Sequence, residues 1–279
     1  MADRSSSEAH ADMPRILYGT AWKKEQTAVL VTAAIRAGFR GIDTACQPKH
    51  YHEAGVGEGI AACLGSELSR ADLFLQSKFT SLSGQDRASV PYDPRAALTL
   101  QVAQSFERSL QNLRTTYLDS LVLHSPLETM KDTLEVWHAM ESIVASSRLH
   151  RIGISNCYEL ATLRRLYDAA RIKPSVVQNR FHAESGYDRD IRVFCRAHDI
   201  TYQSFWTLTA NPQLLASNAV KLAAARNRCT PAQVLFRYLS HEGVVPLTGT
   251  RSATHLHEDL AIFDFELTQG EREAITSLL

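Results

Sequence analysis

The stretch Ser120-Leu121-Val122-Leu123-His124 shows the pattern that decides the fold of this chain. Its apolar residues follow one another without alternation, which is typical of a strand covered on both faces of a parallel sheet. A helical pattern over residues 97–113 precedes it, and a second one over residues 134–145 follows it. A buried strand between two helices is the building unit of α/β proteins, and the same unit recurs throughout the chain.

The repeated unit predicts the architecture. The eight predicted strands cover residues 16–20, 41–43, 73–78, 120–124, 152–155, 175–178, 201–206 and 244–247. Each is followed by a helical pattern, and no linker rich in Pro, Gly or Ser interrupts the alternation. Such alternation favours parallel pairing with right-handed crossovers, and eight units close into a barrel. We therefore predict one α/β domain, a single (β/α)8 TIM barrel over residues 14–279, after a disordered polar segment over residues 1–13.

A three-layer nucleotide-binding sheet is the competing fold. It would carry a GxGxxG loop directly after its first strand. Here the first strand is followed by Gly19-Thr20-Ala21-Trp22, which lacks that loop. The difference favours the barrel.

Composition and charge exclude several classes of protein. Hydrophobic residues make up 44% of the 279 positions, which excludes a chain that is disordered as a whole. The 30 basic residues balance the 30 acidic ones, which argues against a protein that coats nucleic acid or binds membranes through a polybasic surface. No self-complementary apolar surface is evident, so we expect a monomer.

The cysteines and the amino terminus point to a reducing compartment. The 5 cysteines are widely spaced and form no CxxC motif, which argues against a disulfide scaffold or a cysteine zinc site. Residues 1–13 contain no apolar signal region, and no window of about 18 apolar residues exists. We therefore expect a cytoplasmic protein with no membrane segment.

Polar side chains stand at the ends of the predicted strands. The terminal residues are Thr20, Asp43, Lys78, His124, Ser155, Gln178, Phe205 and Thr248. Active sites of (β/α)8 barrels lie at the carboxyl ends of the strands, so these side chains are expected around one mouth. Taken singly, Asp43 could cap a helix, Lys78 could extend to solvent, and His124 could be a core histidine.

Three of these residues and one nearby tyrosine suggest acid–base chemistry. A buried Asp43 beside Lys78 keeps the ammonium charged and fixed. A fixed ammonium beside a tyrosine lowers the pKa of the phenol from about 10, so that it can donate a proton near neutral pH. Tyr51, in the loop after the Asp43 strand, is the candidate phenol, and His124 could hydrogen-bond a carbonyl oxygen.

Several motifs resemble those of the aldo-keto reductase family. They are Gly38-Phe39-Arg40-Gly41-Ile42-Asp43-Thr44-Ala45, Tyr117-Leu118-Asp119-Ser120-Leu121-Val122-Leu123-His124-Ser125-Pro126, Gly153-Ile154-Ser155-Asn156 and Pro174-Ser175-Val176-Val177-Gln178-Asn179. In this order and spacing they form a specific match, which extends from about residue 14 to residue 265.

The resemblance implies an NADPH-dependent oxidoreductase, with NADH open, that reduces small-molecule carbonyl substrates to alcohols without a metal. It implies a catalytic tetrad of Asp43, Tyr51, Lys78 and His124. Ser155, Asn156 and Gln178 would bind the nicotinamide amide, and Phe205 would stack on its ring. The full set of expected cofactor-binding residues is Gly19, Thr20, Ser155, Asn156, Gln178, Phe205, Leu247, Thr248, Gly249, Thr250, Arg251, Glu258 and Asp259.

The chain departs from the family pattern at the tyrosine. Tyr51 lies eight residues after Asp43 and two before Glu53, whereas the usual spacings are five and three. The loop over residues 46–50 therefore carries an insertion, and a solvated loop tyrosine is the alternative interpretation of Tyr51.

The cofactor region departs in two ways. The family usually places a tyrosine where this chain has Phe205, whose alternative role is barrel packing. The phosphate loop commonly reads Pro-Lys-Ser, whereas this chain has Pro246-Leu247-Thr248 and lacks the lysine. Hydroxyl groups, backbone N–H groups and Arg251 could still bind a phosphate, and a plain surface role for Arg251 is the alternative.

Other readings of the same residues stay open. A metal-dependent barrel hydrolase also gathers Asp, His and Lys at strand ends, although no HxH pair occurs on an early strand. A non-catalytic NADP(H)-sensing binding protein could use the same barrel. Trp22, Trp206 and the loop over residues 80–93 are expected to wall an apolar substrate pocket, with core packing as the alternative for each tryptophan.

Overall fold

The computed structural model describes residues 12–65 and 68–279. Its eight strands are β1 (Leu17–Gly19), β2 (Gly41–Asp43), β3 (Phe74–Phe79), β4 (Leu118–Leu123), β5 (Leu149–Ser155), β6 (Val176–Arg180), β7 (Thr201–Phe205) and β8 (Val244–Thr248). Each strand pairs in parallel with the next, and β8 pairs with β1 to close the barrel. The predicted (β/α)8 barrel is confirmed. The predicted disordered segment lies mostly over residues 1–11, which are outside the described residues.

Helices surround the barrel. They are α1 (Thr27–Ala37), α2 (Glu53–Ala61), α3 (Leu98–Leu113), α4 (Met130–Val144), α5 (Leu160–Ala169), α6 (Arg189–Ala197), α7 (Pro212–Ala216), α8 (Asn218–Asn227), α9 (Pro231–His241), α10 (Ala253–Leu260) and α11 (Gln269–Thr276). Across residues 12–65 and 68–279, no helix has the length and apolar character that a bilayer crossing requires.

Two of these helices were not predicted. α7 spans only 5 residues, too few for a helical period to be recognised. α11 buries only Ile275, so it has no apolar stripe, and it is defined by a capping box between Thr268 and Glu271.

The interior of the barrel contains an apolar cluster and a polar layer. Leu17, Phe74 and Leu247 form the apolar cluster, and Met13 and Phe205 pack against it. Leu17 and Phe74 begin their strands, so this cluster extends to the amino-terminal end of the barrel. The polar layer lies closer to the carboxyl ends, where the candidate site is built.

Close packing fixes the start of α2, the helix that follows the candidate tyrosine. A Cβ atom at Gly57 would collide with the carbonyl oxygen of Asn112 at the end of α3. A Cβ at Gly59 would lie 2.6 Å from the carbonyl oxygen of Ala28 on α1. Glycine at both positions therefore lets α2 pack directly on its two neighbours, which holds residues 51–53 over the barrel.

Candidate active site

Asp43 and Lys78 form a buried ion pair at the ends of β2 and β3. The Nζ atom of Lys78 lies 2.6 Å from Oδ2 of Asp43 and 2.9 Å from the carbonyl oxygen of Thr44. Lys78 is 1% exposed and Asp43 is 3% exposed, so neither side chain extends to solvent. Burial lowers the pKa of Lys78, and the charge of Asp43 opposes that shift. The helix-capping and solvent-exposed alternatives for these residues are wrong.

Three glutamines hold the Asp43 carboxylate in place. Oδ1 of Asp43 accepts hydrogen bonds from Nε2 of Gln76 (2.8 Å) and Nε2 of Gln178 (2.9 Å). The same two nitrogens donate to Oε1 of Gln203 at 2.7 and 2.9 Å. Each oxygen of Asp43 therefore has a donor, which is what a buried carboxylate requires.

The sequence interpretation missed Gln76 and Gln203. Gln76 lies two residues before Lys78 on β3, and Gln203 lies two before Phe205 on β7. Because side chains alternate across a strand, each glutamine faces the barrel interior below a residue of the mouth. That spacing was the available clue.

Tyr51 reaches the ion pair in spite of the insertion before it. The backbone N–H groups of His50 and Tyr51 both donate to the carbonyl oxygen of Gln47, so the extra residues form a turn. The Tyr51 ring lies edge-on to the His124 ring with centroids 6.0 Å apart, and Nζ of Lys78 lies 5.3 Å from its centroid. Tyr51 is not a solvated loop residue, and all four expected tetrad side chains meet at the mouth.

The predicted direction of the Tyr51 pKa was wrong. Burial raises the pKa of Tyr51 well above its ordinary value of 10.0, and the charge of Asp43 raises it further. The ammonium of Lys78 is directed at the carboxylate of Asp43, at 2.6 Å, rather than at the phenol. Tyr51 is therefore a protonated phenol in this state of the protein.

His124 is a neutral imidazole. Its Nδ1 atom lies 2.7 Å from Oγ1 of Thr80, which follows β3. Burial lowers the pKa of His124 to about 3, and the positive charges of Lys78 and His50 add to this effect. An imidazole with this pKa is uncharged at neutral pH, so it acts as a hydrogen-bonding group rather than as a cation.

Glu53 fixes the end of the loop that carries Tyr51 through buried hydrogen bonds. The sequence interpretation did not identify this role. Its carboxylate accepts hydrogen bonds from Ser77 Oγ (2.5 Å), Ser109 Oγ (3.0 Å) and Asn112 Nδ2 (3.0 Å). These donors come from β3 and α3, and Glu53 is the first residue of α2. Burial raises the pKa of Glu53. The contacts fix the helix start two residues from Tyr51.

Aromatic residues form the rim of the mouth. Trp22 and Trp206 are each 49% exposed, so the core-packing alternative is wrong for both. The Trp22 ring lies against the His50 ring with centroids 4.0 Å apart and the ring planes tilted by 37°, and the guanidinium of Arg180 lies 4.3 Å from the centre of the Trp206 ring. The rim offers flat apolar faces toward solvent.

The loop after β8 is held by two basic residues. Lys23 is 2% exposed, and its Nζ donates to the carbonyl oxygen of Gly249 at 2.8 Å. Arg251 is exposed, yet its guanidinium donates to the carbonyl oxygen of Trp22 at 2.5 Å. Burial and the charge of Arg251 lower the pKa of Lys23 to about 8. Lys23 was missed, although its place just after β1 marks it as a mouth residue.

Other residues that were expected to bind the cofactor near β1 and β8 are engaged in contacts within the protein. Thr248 Oγ1 donates to Oδ2 of Asp259 at 2.6 Å, and burial raises the pKa of Asp259 to about 6. Thr20 is fully buried, and its hydroxyl donates to the carbonyl oxygen of Asp43. Leu247 belongs to the apolar cluster inside the barrel. Cofactor roles for Gly19, Thr20 and Leu247 stay predictions.

Comparisons with known proteins identify the family. The sequence model described as the aldo/keto reductase family matches residues 15–279 of this chain. This chain belongs to the aldo/keto reductase family.

Individual aldo/keto reductases align over most of the chain. Glyoxal reductase of Bacillus subtilis is 32% identical over 249 residues, covering 89% of this chain and 82% of the relative. Methylglyoxal reductase DkgA of Yersinia pestis is 28% identical, covering 95% of this chain and 89% of the relative. The crystal structure of an aldo/keto reductase from Brucella melitensis is 28% identical and superposes with a TM-score of 0.80, covering 96% and 95% of the two chains.

Aldo/keto reductases generally use nicotinamide cofactors, and the amide side of this mouth fits one. Gln178 Nε2 donates both of its hydrogens inside the barrel, so Oε1 is the atom that can accept from a ligand. Asn156 Nδ2 donates to the carbonyl oxygen of His124 (2.8 Å), and its Oδ1 accepts one hydrogen bond from Tyr158. An amide oxygen has two lone pairs, so Oδ1 can accept a second bond, and the two acceptors suit a ligand NH2 group.

The loop after β8, where the cofactor phosphates are expected, has the charge to bind an anion. Among the described residues, no carboxylate lies within 4.0 Å of the cationic nitrogens of Lys23 or Arg251. A buried cation that is bonded only to neutral oxygens is stabilised strongly by an anionic ligand. The part of the chain that the structure describes contains no group of three or more His, Cys, Asp or Glu side chains that could hold a metal ion.

Proposed function

We propose that this protein reduces small aldehydes and ketones to alcohols with NADPH, and that Tyr51 is the proton donor. The observation that carries the proposal is the buried Asp43–Lys78 pair, at 2.6 Å, directly beside the rings of Tyr51 and His124. Family membership and the glyoxal and methylglyoxal reductases among its relatives support the same reaction type.

The four side chains divide the chemistry among them. When bound, the reduced nicotinamide supplies a hydride to the carbonyl carbon. Tyr51 holds a proton that it can donate to the developing alkoxide, because burial keeps the phenol neutral. His124 hydrogen-bonds the same oxygen as a neutral imidazole. Lys78 lies beside the phenol ring and stabilises the negative charge that develops there, while Asp43 keeps the ammonium in place.

Five residues at the mouth are proposed to hold the cofactor. Asn156 and Gln178 would accept the carboxamide NH2 group, Phe205 would supply an aromatic face for the ring, and Lys23 with Arg251 would bind phosphate groups. Phe205 is half-buried, so packing in the barrel and an exposed face are compatible. Lys23 supplies a buried ammonium where the phosphate loop lacks its usual lysine.

The rim suggests small carbonyl substrates with little polar recognition. Trp22 follows β1 and Trp206 follows β7, and both present apolar surface at the mouth. Glyoxal and methylglyoxal are the substrates named for two of the relatives, so they are the first compounds to test.

The test is consumption of NADPH with glyoxal, methylglyoxal and a panel of larger aldehydes and ketones. Tyr51→Phe removes the proton and little else, so we expect kcat to fall by roughly 10² to 10⁴. The dissociation constant for NADPH, measured by fluorescence titration, should stay unchanged. Tyr167→Phe, on α5, is the matched control and should behave as the wild type. Wild-type kcat in Tyr51→Phe would refute the role of the phenol.

A non-catalytic NADP(H)-sensing protein is the second candidate. The pair of cations at the β8 loop favours dinucleotide binding independently of Tyr51. The two candidates separate in the same experiment, since a sensor binds NADPH in the titration but consumes none of it with any carbonyl of the panel.

A further inference from the structure

The neutral state of His124 makes its tautomer important. A neutral imidazole carries one proton, so one ring nitrogen donates and the other accepts. Nδ1 of His124 contacts Thr80, which leaves Nε2 as the nitrogen available to a ligand. If Nε2 carries the proton, His124 donates to a carbonyl oxygen, whereas the other tautomer would repel that oxygen through its lone pair.

The surroundings of Thr80 decide which atom donates. The Thr80 side chain is 3% exposed, and Nδ1 of His124, at 2.7 Å, is the one partner of its hydroxyl among the described residues. If Nδ1 carried the proton, the buried hydroxyl hydrogen would have no acceptor, which is unfavourable by about 1–3 kcal/mol. The hydroxyl therefore donates to Nδ1, and the ring proton lies on Nε2.

The Thr80 hydroxyl is held in this position by its neighbours. The carbonyl oxygen of Thr80 accepts hydrogen bonds from the Tyr92 hydroxyl (2.8 Å) and from Gln85 Nε2 (3.2 Å). A Cβ atom at Gly84 would lie 2.7 Å from the methyl group of Thr80, so the methyl fills that space. The backbone N–H of His124 also donates to the carbonyl oxygen of Phe79, which aligns the ends of β3 and β4.

We propose that Thr80 is a positioning residue that fixes His124 as its Nε2–H tautomer, so that the imidazole presents a hydrogen-bond donor to the substrate oxygen. The catalytic meaning of this assignment rests on the proposed function, whereas the tautomer itself does not.

His50 provides an internal reference with the opposite tautomer. Nε2 of Gln47 donates to the carbonyl oxygen of Gly84 at 2.7 Å, which turns Oε1 of Gln47 toward Nδ1 of His50 at 2.9 Å. An amide oxygen only accepts, so Nδ1 of His50 must carry a proton. Two histidines at the same mouth are therefore expected to differ in which ring nitrogen is protonated.

The tautomers can be read directly by nitrogen-15 NMR of protein labelled at histidine, at neutral pH and without cofactor. Spectra of His124→Gln and His50→Gln assign the two rings. We expect a protonated Nε2 for His124 and a protonated Nδ1 for His50. In Thr80→Val the His124 signals should move toward a mixture of tautomers, whereas Thr80→Ser, which keeps the hydroxyl, should restore the wild-type pattern. Thr99→Val, at an exposed site on α3, is the matched control.

Kinetics provide the second measurement. Thr80→Val should lower kcat for carbonyl reduction by about tenfold, the equivalent of 1.36 kcal/mol, with little change in the dissociation constant for NADPH. Thr80→Ser should stay within about twofold of the wild type, by the same conversion.

A protonated Nδ1 on wild-type His124 would overturn the proposal, as would a Thr80→Val protein whose His124 signals are unchanged. If Thr80→Val does not fold, the wild-type spectrum and Thr80→Ser decide the question. If the wild type reduces no carbonyl, the proposed function fails, and the NMR result still decides the role of Thr80.

Discussion

The two sides of the barrel mouth differ in how their charges are neutralised. On the side of β2, β3 and β4, the ammonium of Lys78 contacts the carboxylate of Asp43 at 2.6 Å. The side chains of Gln76 and Gln178 donate hydrogen bonds to the other oxygen of that carboxylate. On the side of β8 and β1, the buried ammonium of Lys23 donates to a backbone carbonyl. Arg251 likewise donates to a carbonyl oxygen of the protein.

This difference shows which part of the site is complete without a ligand. Asp43, Lys78, Tyr51 and His124 hold one another in place, so the catalytic side is organised in advance. The basic side has positive charge without a negative partner among the described residues, so a bound anion would stabilise it. Removing a cation should therefore have different effects on the two sides: without Lys78 the protein should lose stability and turnover, and without Lys23 it should lose affinity for the cofactor.

Breaking the catalytic side should give the largest effect. Lys78→Met leaves the Asp43 carboxylate buried without its cation, and removing one partner of such a pair costs roughly 3–5 kcal/mol of unfolding free energy. Turnover should be lost together with stability. The measurement is urea unfolding at neutral pH, with the exposed Lys221→Met on α8 as the control, which should change by less than about 0.5 kcal/mol.

A double variant sharpens this prediction. In Lys78→Met with Asp43→Asn, neither position of the pair carries a charge, so part of the lost stability should return while turnover stays absent. If Lys78→Met alone is as stable as the wild type, the ion pair does not organise this side of the mouth.

The sequence predicted which side chains lie at the barrel mouth, because polar residues stand at the ends of short strands. Asp43, Lys78 and His124 were placed correctly: Asp43 ends β2, Lys78 is the last residue but one of β3, and His124 directly follows β4. Tyr51 was placed in spite of its altered spacing. The sequence did not reveal the glutamines inside the barrel beneath these residues. Gln76 and Gln203 look like ordinary polar positions, and only closure of the barrel joins them to Asp43 in one hydrogen-bond network.

Burial and protonation could not be predicted from sequence. A nearby ammonium suggested a lowered pKa for Tyr51, but desolvation, which depends on the packed structure, shifts it the other way. The roles of Lys23 and Thr80 likewise depend on contacts with chain segments far away in sequence or folded back by a loop. Residue types and order reveal which groups reach the mouth, whereas hydrogen-bond partners decide their state.

The protonation of His124 predicts a pH-dependent stability on the catalytic side. The folded-state pKa is about 3, below the ordinary value of 6.5, so folding favours the neutral ring. The full stability is present above pH 6.5 and is lost as the pH falls toward 3, because the unfolded chain takes up a proton that the folded chain does not. The slope is about 1.4 kcal/mol per pH unit, or roughly 2–3 kcal/mol at pH 4.5.

The test compares urea unfolding of wild type and His124→Gln at pH 7 and pH 4.5. The variant should lose this part of the pH dependence, whereas the exposed His257→Gln on α10 should keep it. Equal pH dependence in wild type and His124→Gln would contradict the buried neutral state.

The basic side predicts pH-dependent cofactor affinity through Lys23. Its pKa is lowered to about 8, so the ammonium that would bind a phosphate loses its proton in a measurable range. As the pH rises above 8, the dissociation constant for NADPH should increase by up to about tenfold per pH unit. Fluorescence titration between pH 7 and pH 9.5 measures this dependence. Lys23→Met should bind NADPH weakly and without this pH dependence. Lys24→Met, at the neighbouring exposed position, should resemble the wild type.

Asp259 gives the smallest expected effect and tests the preference between the two nicotinamide cofactors. It accepts a hydrogen bond from Thr248, the residue expected at the 2′-phosphate of NADPH, and burial raises its pKa to about 6. Above that pH its charge repels a phosphate, by on the order of 1 kcal/mol at 4 Å in water. Asp259→Asn should therefore tighten NADPH about fivefold at pH 7.5 and leave NADH unchanged, since NADH lacks that phosphate. The exposed Asp264→Asn is the control, and an equal change for both cofactors would place Asp259 away from the 2′-phosphate.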